Sequence, residues 1–393
     1  MTWGDDGFTG VLAAGYLGLM SLAWIALCWG AGQWGRAWRL KRESKPLEDQ
    51  PLVSICIPAR NEARCIAACV SAALKQDYEN FEVLVVDDRS EDDTGVLATR
   101  AAAGDERFRL IGGEEPPSGW AGKAWACQRL SDESVGKLLL FIDADVCLAP
   151  WALTAAVAEQ QRRGSALLSL FGDWELRSFW EVTVVPVVGW LIRGFVNLDE
   201  ANSSNSPTAF ANGQFILVER EAYLRVGGHE MVQAEVLDDV RLAQAFNTRA
   251  LPCTLLHAPG AFRVRLYTSL SEIISGYSKN LYEGMDRRLS MGCGAILFVF
   301  VGTILPFVVL GTLAYVQLAL GWKLSLFWTV WAAGICSLIF CFRWRIERMD
   351  GRSGLYALSH LLGNLVLVWI ILRAMFSLES EWKGRRFVDG KAE

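Results

Sequence analysis

Leu138-Leu139-Leu140-Phe141-Ile142-Asp143-Ala144-Asp145 is the stretch on which the reading of this chain turns. An unbroken apolar run of this length, closed by acids, reads as a central strand of a parallel sheet covered on both faces. Two carboxylates at the carboxyl end of such a strand sit where open α/β sheets bind ligands. At positions i and i+2 both can reach a hard divalent cation, which takes oxygen ligands and shares them with substrate phosphates. Aspartate is also common in strand-end turns. The pair alone fits either reading, and its neighbours decide between them.

Outward from that strand, apolar runs alternate with helical patterns from Pro51 to about Arg265, the signature of βα units. Strands are expected at Val53–Ile57, Glu82–Val86, Phe108–Ile111, Ala166–Phe171 and Phe210–Val218. Helices fit at Glu62–Lys75, Asp92–Ala103, Pro150–Arg162, Glu219–Val226 and Asp238–Asn247. The first strand runs into Pro58-Ala59-Arg60-Asn61-Glu62 and the second into Asp87-Asp88-Arg89-Ser90. Three strands ending in polar or acidic residues should line one edge of the sheet, which favours a site over a set of turns. Gly119-Trp120-Ala121-Gly122-Lys123 could bring backbone and a lysine to a phosphate, or be a surface loop. Asn212-Gly213 interrupts an apolar run. Gly227-Gly228-His229 follows a helix, where a C-cap explains the glycines almost as well. In Glu235-Val236-Leu237-Asp238-Asp239, one acid is expected to cap the next helix and the other to project into the cleft.

The ends of the chain are different. Hydrophobic residues make up 52% of the 393 residues, and the surplus lies in charge-free stretches. Phe8 to Trp34 is long enough to cross a bilayer as a helix. Asp5 and Asp6 precede it, and Arg36, Arg39, Lys41, Arg42 and Lys45 follow it. The positive-inside rule then places the region after residue 36 in the cytoplasm. Further stretches run over Leu289–Trp322, Leu324–Phe342 and Ser353–Leu372, the last containing His360 and Asn364. If the last one spans, the tail with Lys383, Arg385 and Arg386 lands outside, against the charge rule; a re-entrant segment is the alternative. The aromatic segment Trp174–Leu198, interrupted by Pro186, Gly189 and Gly194, reads as an in-plane interfacial helix or as a buried helix of the soluble domain. The net charge of −5 says little about partners, and with no basic block of the kind nucleic-acid binding needs, no nucleic-acid partner is expected. The ten cysteines show no metal-ligand spacing and suit a reducing compartment.

The order PARNE, VVDDRSEDDT, a strand-borne DAD, a GGH turn and DDVRL resembles the inverting family 2 glycosyltransferases of the GT-A fold, over roughly residues 51–280. The GWAGK loop, the RLY segment, Gly276-Tyr277-Ser278-Lys279-Asn280 and Trp382-Lys383-Gly384-Arg385 look most like the hopene-associated glycosyltransferases; ceramide-type and carotenoid enzymes are near relatives. The resemblance implies an α/β fold, a Rossmann-like and mostly parallel sheet. It also implies residues 8–34 as a transmembrane helix, 51–288 as the catalytic domain with an interfacial segment 174–198, 289–377 as a membrane domain of about three helices, and 378–393 as a tail. The donor it implies is a nucleotide sugar, a UDP-sugar by preference, framed by Pro58, Arg60 and Glu62 with Asp87 and Asp88 at the base or ribose. Asp145, helped by Asp143, would hold Mg2+ or Mn2+ on the diphosphate. Lys123, Arg265 and Lys279 would neutralise phosphate. Asp239 takes the position of the family's base, with Asn212, Gly213, Gly228, His229 and Asp238 on the acceptor side.

The implied function is transfer of a sugar to a membrane lipid, a hopanoid being the acceptor the resemblance points to, at the cytoplasmic face of a bacterial inner membrane. One departure bears on this. Processive and ceramide-type members carry Q/R-x-x-R-W, whereas this chain reads Phe262-Arg263-Val264-Arg265-Leu266-Tyr267. That weakens a polysaccharide synthase and suits single transfer. A polysaccharide or polyprenyl-phosphate sugar synthase remains the alternative enzyme. A non-catalytic membrane protein with a degenerate transferase domain is the third reading, against which stand the intact acids at 88, 143, 145 and 239.

Overall fold

The structure is a computed structural model. It describes residues 7–30, 36–43, 47–203, 209–285, 287–321, 326–376, 379–382, 385–388 and 391–392. Asp5, Asp6, Trp34, Lys45, Trp322, Leu324, Lys383 and Gly384, used in the sequence reading, lie outside them.

In chain order the first half contains α1 (Gly7–Gly30), β1 (Val53–Ala59), α2 (Ile66–Ala73), β2 (Phe81–Asp87), α3 (Thr94–Ala102), β3 (Phe108–Gly112), α4 (Gly122–Glu133), β4 (Leu138–Phe141), β5 (Val146–Leu148), α5 (Ala152–Arg163), β6 (Leu167–Phe171), β7 (Asp173–Trp174) and α6 (Phe179–Phe195). Then follow α7 (Leu198–Ala201), β8 (Ile216–Glu219), α8 (Arg220–Val226), α9 (Asp238–Thr248), β9 (Cys253–His257), β10 (Phe262–Val264), α10 (Leu270–Gly284), α11 (Leu289–Val299), α12 (Leu305–Leu318), α13 (Leu326–Met349) and α14 (His360–Phe376). They form two compact units, one α/β and one helical.

The α/β unit is built on a seven-stranded sheet ordered β3-β2-β1-β4-β8-β6-β9. Every pairing in it is parallel except those of β8, which runs antiparallel to β4 and to β6. Alternation along the strands sends side chains to two helical layers. Ile55, Ile57, Val83, Val85 and Leu140 pack on Ile66 and Val70 of α2 and on Leu153 and Val157 of α5. Cys56, Leu84, Leu139 and Phe141 pack on Cys127 and Leu130 of α4, Tyr223 of α8 and Phe246 of α9. Leu139 and Leu140 are both fully buried, as a central strand covered on both faces requires. A small sheet, β5-β10-β7, lies beyond the end of β4.

Two local expectations are corrected. The strand expected over Phe210–Val218 begins only at Ile216, because the segment before it is tied down as a turn, with Phe215 N–H donating to Asn212 O (3.1 Å). The Gly119–Lys123 segment is not merely a loop: Gly122 opens the twelve-residue helix α4. Its apolar residues are mostly alanine and cysteine, so its hydrophobic periodicity is faint in sequence.

In the helical unit, Gly10–Gly30, Leu289–Leu318, Leu326–Met349 and Gly354–Phe376 are each long and apolar enough to cross a membrane. Leu17, Met20 and Trp24 of α1 pack on Ile335, Ile339 and Phe342 of α13. Two prolines shape the unit by the same physics. A proline inside a helix has no N–H for the carbonyl four residues back. Pro306 leaves Gly302 O free, and Trp24 Nε1–H donates to it at 3.0 Å, next to the π-turn Phe300–Ile304 that joins α11 to α12. Pro186 of α6 leaves Val182 O free, and Arg343 Nη2 of α13 donates to it at 2.5 Å. Helix α6 is buried within this unit from Glu181 to Gly189. His360 and Asn364 bond each other, Nδ2 of Asn364 lying 3.1 Å from His360 Nε2 and donating to His360 O at 2.8 Å.

Candidate active site

Parallel strands β2, β1 and β4 end together, so the polar segments that follow them share one edge. Asp88 N–H donates to Ala59 O at 2.7 Å, locking the first two ends together. Arg60 Nη1 donates to Asp88 O at 3.0 Å. Asn61 and Arg89 both adopt left-handed backbone (φ 53° and 56°), conformations that non-glycine residues hold only where their surroundings over-determine them. Here Asn61 N–H bonds Ser90 Oγ at 2.9 Å, and Glu91 N–H bonds Asn61 Oδ1 at 2.8 Å. Asp87 accepts from Ser90 N–H (3.1 Å), so it shapes the turn, whereas Asp88 is buried. A Cβ on Gly113 would lie 2.6 Å from Asp87 O and from Asp88 Cα, so only glycine lets β3's exit approach so closely. Glu62 N–H donates to Thr94 Oγ1 at 2.8 Å, and the Glu62 carboxylate accepts from Cys65 Sγ at 3.1 Å.

The antiparallel insertion of β8 decides what faces the acids of β4. Ile216, at the start of β8, pairs with Phe141, at the end of β4. The Asn212-Gly213 turn therefore arrives beside Asp143. Helices α4 and α9 begin at the same place. The result is a narrow cleft lined by Pro58, Lys123, Cys127, Phe141, Asp143, Gly213, Ile216, His229, Asp238 and Asp239, with about 10 Å³ of free space, enough for roughly one water.

Its charges are paired across the cleft. Lys123 Nζ lies 2.7 Å from Asp143 Oδ1. Asp239 Oδ2 accepts from Gly213 N–H at 2.7 Å and Oδ1 from Val240 N–H at 2.8 Å. Burial and then the neighbouring Asp238 carboxylate raise the Asp239 pKa to about 6; Lys123 and the two N–H donors oppose the rise. Burial acts to lower the Lys123 pKa, but Asp143, Asp238 and Asp239 outweigh it and hold the ammonium well above the ordinary lysine value. A Cβ on Gly213 would meet Asp239 Oδ2 at 3.0 Å and Lys123 Nζ at 3.2 Å, so Gly213 is where the two charges converge.

The structure sorts the candidate residues. Pro58, Lys123, Asp143, Gly213, His229, Asp238 and Asp239 line the cleft. Both acids of the Asp238-Asp239 pair do so, which corrects the expectation that one would cap α9; its N-cap, Leu237, makes no side-chain cap. Asn212 serves the sheet instead, its Nδ2 donating to Leu170 O at 2.9 Å. Gly227 caps α8 at φ 95°, and Gly228 is pressed against the Tyr223 ring, where a Cβ would come within 2.8 Å. That turn delivers His229 to the cleft, buried, with Nδ1 2.7 Å from the Tyr223 hydroxyl. Burial lowers the His229 pKa to about 4, against the pull of Asp238. Asp145 is not among the lining residues; with Asp143 it adds to the burial and Cys147 effects that push the Cys69 thiol well up. Arg265 follows β10 in the α/β unit, and Lys279 lies on α10 of the helical unit. Cys127 and Ile216 line the cleft without having been singled out in sequence, since apolar lining carries no local signal.

Among the described residues, no group of three or more His, Cys, Asp or Glu is placed to hold a metal ion. The two acids after β4 nevertheless fit a hard cation that takes its other ligands from phosphate and water. A cationic group already sits on Asp143 Oδ1, so that oxygen faces the cleft as an acceptor of positive charge.

This is a GT-A architecture: a mostly parallel sheet with acids after its central strand and a further acid opening a helix across the cleft. Residues 54–224 match the model of the family described as Glycosyl transferase family 2. The chain is 26% identical over 392 residues to a 4,4'-diaponeurosporenoate glycosyltransferase of Staphylococcus aureus (strain MRSA252), covering 94% of this chain and 96% of that one. It is 26% identical over 276 residues to the protein of that name from Staphylococcus haemolyticus (strain JCSC1435), covering 68% and 70%. Among solved structures it shares the fold of a mannosyltransferase from Pyrobaculum calidifontis in complex with GDP-Man and Mn2+, with a TM-score of 0.51, 17% identity, and 93% and 99% of the two chains covered. The chain carries a family 2 glycosyltransferase domain and is a glycosyltransferase with long apolar helices at both ends.

Proposed function

We propose that this enzyme transfers a sugar, with inversion, from a nucleoside-diphosphate sugar to an apolar lipid at the cytoplasmic face of a bacterial inner membrane. UDP is the nucleotide the sequence resemblance favours. The acceptor class follows from the four candidate spans and from the relatives, whose name specifies a carotenoid-like substrate; a hopanoid is the other polycyclic or polyisoprenoid lipid of this kind. The observation that carries the reading is the Asp239 carboxylate. It is held in place by two N–H donors and shares a cleft with Asp143.

Asp239 would take the proton from the acceptor hydroxyl as that oxygen attacks the anomeric carbon, with the nucleoside diphosphate leaving from the opposite face. General-base help of this kind contributes ~10²–10⁴-fold. Its two N–H donors leave the carboxylate oriented, and burial makes it a better base than an exposed aspartate. Mg2+ or Mn2+ held by Asp143 and Asp145 would supply charge to offset the leaving diphosphate. Asp88, buried at the end of β2, would read the nucleoside, with Asp87, Arg60 and Glu62 keeping its loop in shape.

The test is Asp239→Asn in purified full-length enzyme, with labelled nucleotide sugars and a lipid extract, products identified by mass. Nucleotide-sugar binding should persist and transfer should fall by ~10²–10⁴. A second reading comes from the relatives' name, whose ending denotes a carboxylate. A carboxylate acceptor has no proton to remove, so transfer that survives Asp239→Asn would assign a carboxylate nucleophile and a glycosyl ester product.

A further inference from the structure

Lys123 and a divalent cation held by Asp143 would compete for the same carboxylate. The ammonium lies 2.7 Å from Asp143 Oδ1. A bound Mg2+ or Mn2+ would sit about 2 Å from a ligating carboxylate oxygen. Two cations cannot both occupy that side of Asp143 without strong repulsion. The lysine is not there by default. It is the second residue of α4, and its side chain is 43% exposed. It turns inward because Asp143, Asp238 and Asp239 converge on the cleft and, among the described residues, no other Lys or Arg lines it.

We propose that Lys123 is a place-holding cation: it pairs with Asp143, and it leaves that carboxylate when metal and nucleoside diphosphate enter together, moving its charge to the diphosphate. This rests on the metal-dependent transferase reading and adds a binding order to it. Metal alone must displace the lysine towards water or Asp239, with no diphosphate to receive it. Metal with a diphosphate gives the lysine a new anionic partner. Metal and nucleotide should therefore bind synergistically, and Lys123 should be the source of much of that synergy.

The experiment measures Mn2+ affinity of the full-length protein in detergent, by electron paramagnetic resonance of free Mn2+, with and without UDP. Lys123→Gln should bind Mn2+ alone more tightly than the parent, by about threefold or more, the effect of deleting one partly exposed ion pair. The gain in Mn2+ affinity on adding UDP should shrink in the same variant. Lys123→Arg, which keeps the charge, should behave like the parent, which separates charge from any loss of packing. In a Lys123→Gln/Asp143→Asn double variant the improvement over Asp143→Asn alone should vanish. Mn2+ affinity unchanged or weakened in Lys123→Gln would overturn the place-holder while leaving the transferase intact. Parent protein that binds no Mn2+ even with UDP, together with Asp145→Asn that changes nothing, would overturn the metal reading and this inference with it.

Discussion

Transfer should lose about tenfold in rate for each pH unit below about 6. The perturbation is pH alone, and the group is Asp239. Burial and Asp238 raise its pKa from 3.8 to about 6. A base works only when ionised. At pH 7 about nine-tenths of Asp239 would be ionised and at pH 5 about one-tenth, so turnover should fall roughly ninefold over that interval. An aspartate with an ordinary pKa would lose less than about a tenth of its ionised form over the same range. The assay is kcat/KM, measured as initial rate at subsaturating nucleotide sugar, so that the profile reports the free enzyme, the state in which Asp239 has this pKa. The sign of a second perturbation follows from the same geometry. Lys123 lowers the Asp239 pKa, so Lys123→Gln should move the acid limb to higher pH. A profile flat between pH 5 and 7, or a limb that does not move in Lys123→Gln, would refute the electrostatic account of the base.

Three further outcomes are expected. Asp239→Asn should stabilise the fold by about 1 kcal/mol at pH 7.5, because it removes a partly buried charge disfavoured by Asp238; since the folded pKa is raised, the gain should disappear as pH falls from 6 towards 4, read by thermal melts across pH. Arg343→Met should destabilise by about 3–5 kcal/mol, leaving Glu347 buried with fewer partners and Val182 O without its donor; adding Pro186→Ala, which restores an N–H for that carbonyl, should recover part of the loss in detergent melts. Tyr223→Phe should cost about 1–3 kcal/mol, since the hydroxyl meets both the N–H and Nδ1 of buried His229 at 2.9 and 2.7 Å; an unchanged melting temperature would show that the pair is dispensable.

Much of the α/β unit was readable because burial leaves a local trace. Leu138–Ile142 is apolar throughout since both its faces are covered, and the acids stand out because they end it. β1, β2, β3 and β6 fall within a residue or two of the expected bounds for the same reason. Helix α4 escaped notice because alanine and cysteine carry little amphipathic contrast, and the short strands β5, β7, β9 and β10 because two to five residues give no period to measure. The Asn212-Gly213 break was visible as an interruption, but its meaning was not: the glycine is needed because Asp239 and Lys123 crowd the place where a Cβ would stand.

Sequence alone determined which residues could carry chemistry, a βα-unit domain between apolar ends, and spans long enough for a bilayer. These are properties of neighbours along the chain, set by periodicity, charge spacing and length. Which carboxylate meets which partner was decided by tertiary structure. Lys123, Asp143, Gly213 and Asp239 are far apart in sequence, and they meet because β8 inserts antiparallel beside β4 and returns the chain to the end of that strand. Asp143 faces the cleft and its lysine, while Asp145, two residues on, lies outside the lining. Electrostatic energy falls with distance and rises with burial, and both are set by the packed sheet and helices rather than by position along the chain.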